Sequence, residues 1–205
     1  MKKYLLAIIL VVSQLALSAQ FFTSCLPEGV TFTTQEQIDN FQTDHPDCTE
    51  IEGSVTIKGD NIENLSGLNV INSIGGSLEI IGNPILENLT GLENLISVGG
   101  QLTIGFWNNQ GNPSLTSLAG LENLASIAGD LFIGYNDVLT SISGMSNITS
   151  IGENIIILLN KALINLNGLD NVTSINGSLE IKGSDSLVSL AGLGNITGLP
   201  GNRCP

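Results

Sequence analysis

The chain of 205 residues sets 19 acidic against 6 basic residues, a formal charge of −13, and is 42% hydrophobic but only 4% aromatic. Phosphate backbones and anionic lipid surfaces repel such a molecule, which argues against nucleic-acid binding. One histidine, His45, leaves little material for a histidine-based metal or catalytic centre, and a core of Ile, Leu and Val must close through many small regular contacts.

Lys2 and Lys3 precede an apolar run from Tyr4 to Leu17, and Ser18-Ala19 sets small residues before Gln20. This layout predicts a secretory signal peptide over residues 1–19, cleaved between Ala19 and Gln20. The run is shorter than the ~20 apolar residues of a spanning helix. Later apolar stretches are interrupted by Ser, Asn or Gly, so no membrane span is expected. The expected address is the cell exterior or the envelope.

Residues 20–50 read as an N-terminal cap. Phe22-Thr23-Ser24-Cys25 is similar to a lipoprotein box, in which Cys25 would carry a lipid anchor. The same cysteine has a second use, because Cys48 follows across a segment with helix signals. Thr34 and Gln37 form a possible capping box, Ile38 and Phe41 fall three apart on one face, and Pro46 lies beyond the end. A Cys25–Cys48 disulfide would pin this short helix and leave Cys204 as the odd thiol.

From Ile51 to about Leu199 the chain repeats itself. Ile51, Ile74, Val98, Ile127, Ile151 and Ile175 each open a unit of about 24 residues, lengthened once by an insertion after Val98. Units of this size stack into a solenoid, since none can bury a face alone. Each carries a strand of period two, as in Leu78-Glu79-Ile80. The inward columns are Val55, Leu78, Leu102, Leu131, Ile155, Leu179 and Ile57, Ile80, Ile104, Ile133, Ile157, Ile181. Glycines recur where a crossover helix would need its middle, so each unit is one coil of short strands and turns, paired in parallel with its neighbours. The predicted fold is an all-β, right-handed parallel β-helix of about six coils, a leucine-rich solenoid with a short N-terminal capping helix. The right hand is that of nearly all parallel crossovers. Two asparagine columns, Asn83, Asn112, Asn136, Asn160 and Asn94, Asn123, Asn147, Asn171, Asn195, are expected to turn inward and satisfy backbone groups at the corners. Residues 200–205 read as a tail.

Cys25, the Thr34-to-Phe41 helix, Cys48-Thr49-Glu50-Ile51-Glu52-Gly53 and the recurrent Gly-Leu-Glu-Asn-Leu at Gly91 to Leu95 and Gly120 to Leu124 resemble the receptor L-domain family. The resemblance extends from Cys25 to about Leu199 and is closest to secreted bacterial members of the Bacteroidetes type. It implies a right-handed β-helix capped by a disulfide-tied helix, with ligands engaged on a sheet face. No cysteine-rich module, membrane span or kinase-like segment accompanies it, so receptor signalling is not implied.

The outward strand position reads Thr56, Glu79, Thr103, Phe132, Ile156 and Glu180, and no two carboxylates stack on neighbouring coils. Paired-acid hydrolysis therefore lacks its main requirement, and the acidic residues lack calcium-loop spacing. The expectation is a non-enzyme without catalytic, cofactor or metal sites. What stands out is the middle of the stack. The only tryptophan lies in the insertion Phe106-Trp107-Asn108-Asn109-Gln110-Gly111, beside outward-facing Phe132, Ile156 and Leu158 and the turn residue Tyr135. Phe106, Trp107, Phe132, Tyr135, Ile156 and Leu158 form the candidate patch for a protein or carbohydrate at the cell exterior. Alternatively, the inserted loop folds over Phe132 and Ile156 and buries them locally, leaving a structural envelope or spacer protein without a specific ligand. Asp185-Ser186-Leu187 fits a short O-glycosylation pattern.

Overall fold

Alternating strands of two to four residues make the two sheets of this fold. The computed structural model describes residues 23–197 except Asn109. The expected signal peptide, Leu199, Cys204 and the tail lie outside the described residues. The larger sheet has seven parallel strands, running in space from Val30–Phe32 through Val55–Ile57, Leu78–Ile80, Leu102–Ile104, Leu131–Gly134 and Ile155–Leu158 to Leu179–Lys182. The smaller has six, Thr23–Cys25, Cys48–Ile51, Ser73–Ile74, Ser97–Val98, Ser126–Ile127 and Ser150–Ile151. Each coil contributes one rung to each sheet, except that the last meets the smaller sheet only through a bridge between Ile151 and Ile175, and closes through turns, giving an all-β solenoid of parallel sheets with about seven turns.

Register follows the sequence columns. Leu131 stands between Leu102 and Ile155, and Ile133 between Ile104 and Ile157. Both central residues are wholly buried. Their columns remain unbroken across the insertion because its extra residues bulge out after Ile104. The six coils recognised from Ile51 onward gain a further rung from the cap. Val30-Thr31-Phe32 pairs in register with Val55-Thr56-Ile57, and Cys25 pairs with Ile51. The cap is thus continuous with the stack.

The cap helix forms as its signals predict. Thr34 closes a capping box with Gln37 over Gln35–Asp39, a second short helix runs over Phe41–Asp44, and Ile38 and Phe41 are buried over the first coils. The Gln35 side chain accepts from the backbone N–H groups of Glu63 and Asn64, at 2.8 and 3.1 Å, fastening the helix to the next coil. Cys25 and Cys48 are disulfide-bonded, with Cα atoms 5.7 Å apart. That bond engages the sulfur a lipid anchor would need.

The two asparagine columns separate in space. Asn83, Asn112, Asn136 and Asn160 are fully buried. Asn112, Asn136 and Asn160 accept through Oδ1 from the ladder asparagine of the preceding coil, at 3.1, 3.1 and 3.2 Å. Their Nδ2 groups donate to the Ile80, Ile104 and Ile133 carbonyls, each at 2.9 Å. The second column corrects the expectation that both turn inward. Asn94, Asn123, Asn147, Asn171 and Asn195 are exposed, and their Nδ2 groups cap carbonyls of the preceding coil from outside at 2.6–2.7 Å. The recurrent Gly-Leu-Glu-Asn-Leu acquires a physical meaning here. Gly91 has φ +115° and a Cβ on it would lie 2.1 Å from the Leu65 carbonyl carbon, so only glycine fits. Its N–H donates to Glu93 at 2.8 Å, Leu92 and Leu95 fill the core, and Asn94 reaches back. Glu122 and Asp170 repeat the acceptor role toward Gly120 and Gly168.

Candidate functional site

The outward side of the larger sheet changes character at its middle. Moving through the coils, Glu79 is followed by Thr103, Phe132 and Ile156 before charge returns at Glu180, and Gly134 and Leu158 precede Lys182 in the parallel column. The insertion covers part of this strip. Its ends are tied by the Phe106 N–H donating to the Gln110 carbonyl at 2.9 Å, and that carbonyl also accepts from Gly82 N–H on the preceding coil at 2.9 Å. Asn108 takes the left-handed conformation (φ +58°) that asparagine tolerates best among residues with a Cβ. The loop is therefore a small pinned hairpin.

The hairpin brings three rings together. Phe106 and Phe132 have centroids 5.5 Å apart, Trp107 meets Phe132 edge-on at 6.2 Å, and Phe106 and Trp107 lie 4.6 Å apart. Phe132 is only 4% exposed although it points away from the core, whereas Trp107 is 48% exposed. Thr103, expected at the surface on the outward column, is 2% exposed, beside Phe106 and Gln110 in a small crevice. Ile156 and Leu158 are half-buried next to Phe132 and Gly134. Five of the six sequence-selected residues thus lie on or over this strip, with Trp107 the large ring offered to solvent.

Tyr135 takes part in a different feature. It follows the strand Leu131–Gly134, is half-buried with φ +61°, and lines a groove of about 420 Å³ with Gly111, Pro113, Asp137, Leu159 and Lys161. Lys161 Nζ donates to Asp137 Oδ2 at 2.7 Å across adjacent coils. This hydrogen bond, aided by the charge of Asp137, raises the Lys161 ammonium above its ordinary pKa. Sequence reading missed Leu159, Asp137 and Lys161. The available signal was that Tyr135 and Leu159 stand where other coils carry Gly82 and Gly183.

Glu79 and Glu180 stay on separate coils, in register with Thr103 and Ile156 respectively. Among the described residues no helix is long and apolar enough to cross a membrane. Comparison with known protein families, characterised proteins and solved structures returns no match.

Proposed function

We propose that this chain is a secreted, non-catalytic recognition module of the receptor L-domain type, binding a protein or glycan at the cell exterior through the middle of its larger sheet. The observation that carries this reading is local differentiation. A solenoid that repeats its corner glycines and buried amides is interrupted once, and the interruption presents an exposed tryptophan over an apolar strip flanked by charge. Exposed aromatic residues set among near-neutral neighbours are the usual anchors of interfaces. The Cys25–Cys48 bond suits an oxidising compartment and agrees with export by the predicted signal peptide.

The competing reading is a structural spacer of the envelope. It draws on the burial of Phe132 under the hairpin, which gives the rings a packing role of their own. Capture experiments with the mature chain, using a glycan array and extracts of surface proteins, separate the two. A recognition module retains a defined binder; a spacer retains none.

A further inference from the structure

Just beyond five strands of the larger sheet, from Leu78–Ile80 to Leu179–Lys182, the chain passes through the left-handed region of backbone conformation. Gly82 and Gly183 occupy it with φ +62° and +67°. The two coils between the insertion and the last rung place Tyr135 and Leu159 there instead, at φ +61° and +54°. Residues with a Cβ rarely adopt these angles, and glycine meets the same backbone requirement without strain. Core packing does not account for the exchange, since Leu159 is 37% exposed and Tyr135 only half-buried. The strain is instead spent on setting an aromatic ring and a branched aliphatic chain on adjacent coils in the wall of one groove, a pattern that marks functional sites.

The rest of the wall has complementary chemistry. Gly111 and Pro113 complete its apolar part, while Asp137 and Lys161 form the 2.7 Å ion pair. A carboxylate and an ammonium held together offer adjacent acceptors and donors but little net charge. An anion meets a protein of formal charge −13, and a cation finds Asp137 already engaged. A neutral molecule with one apolar face and a fringe of hydroxyls matches all three elements, and the groove's volume of about 420 Å³ lies in the range of small-ligand sites rather than of protein interfaces. We propose that this groove binds a neutral pyranose ring of a glycan, stacked on Tyr135 against Leu159, with vicinal hydroxyls on Asp137 and Lys161. The inference rests on the recognition reading above and adds to it a ligand class and a second site, apart from Trp107.

The test uses Tyr135→Gly and Leu159→Gly, which restore the residue of the other coils and so preserve the fold, together with Asp137→Asn. The full chain and its variants are applied to an array of neutral hexose and N-acetylhexosamine oligosaccharides, with affinities for the retained sugars measured by titration calorimetry and folding checked by thermal melts. The expected result is binding by the parent chain, weakened at least tenfold by each glycine variant at unchanged or higher Tm, and weakened by Asp137→Asn. Trp107→Ala is expected to leave the sugar affinity in place. No neutral sugar retained by the parent, or sugar binding that survives both glycine variants, overturns the groove. If Trp107→Ala abolishes capture of a protein partner while the array stays blank, the groove fails and the recognition reading stands. If neither sugars nor proteins are captured, both fail.

Discussion

Phe132 lies over Gly134 on the outer side of the same strand: a Cβ built on Gly134 would come within 2.7 Å of the Phe132 ring. The missing side chain at one position makes room for the ring at the other, and the hairpin then closes over it. Phe132 therefore behaves as a core residue on the solvent side of the sheet.

Phe132→Ala should accordingly destabilise the fold by about 3 kcal/mol, the lower end of the range for buried aromatic residues, because the hairpin can partly collapse into the space. Denaturant midpoints measure this. A loss below about 1 kcal/mol, typical of a surface substitution, would show that the ring is not buried in solution.

Ile133 and Thr103 test the two sides of the sheet. Ile133→Ala should cost roughly 2–5 kcal/mol, since it opens a cavity in a packed aliphatic column. Thr103→Ala, on the outward column, should cost about 1 kcal/mol because the insertion has covered it. Equal losses at the two positions would contradict the assigned orientation.

The asparagine columns make a matched pair. Asn136→Ala removes partners from the buried Asn112 N–H and the Ile104 carbonyl and should destabilise by about 3 kcal/mol or more. Asn147→Ala removes an exposed cap on Glu122 and should cost about 1 kcal/mol or less. Chemical denaturation of the two variants in parallel decides the matter, and the order of the two losses is what counts.

Breaking the cap disulfide with Cys25→Ser and Cys48→Ser together should lower stability by about 3 kcal/mol, given the separation of 23 residues it closes. Non-reducing peptide mapping of the parent chain should recover Cys25 linked to Cys48. A lipid-modified Cys25, or a bridge from either residue to Cys204, would contradict the cap as described.

Much of the fold was legible because the repeat itself encodes it. A column such as Leu102, Leu131, Ile155 fixes register and facing at once, since a slip of one residue would turn every aliphatic side chain outward. The first rung escaped notice because Phe32 replaces the usual isoleucine and the cap helices separate it from its partner strand. The second asparagine column was misplaced because spacing gives a residue's phase in the coil but not whether the turn there faces in or out. At the candidate site, sequence singled out the insertion and its tryptophan. It also offered the folding of the insertion over Phe132 as one of two readings, but could not decide for it, because that contact is fixed by loop closure rather than by periodicity. The Tyr135–Leu159 groove was visible only as two absent glycines, whose meaning depends on the sign of φ.

The central claim is that the exposed face of the insertion serves recognition and not folding, and Trp107→Ala tests it most directly because Trp107 is the large exposed ring of the cluster. Binding of the mature chain and of this variant to surface-protein extracts, measured beside their thermal melts, should show capture by the parent, loss of capture by the variant, and nearly the same Tm. A variant that melts early, with a parent chain that captures nothing from glycans or extracts, would contradict the account and leave the hairpin as a packing device of a structural spacer.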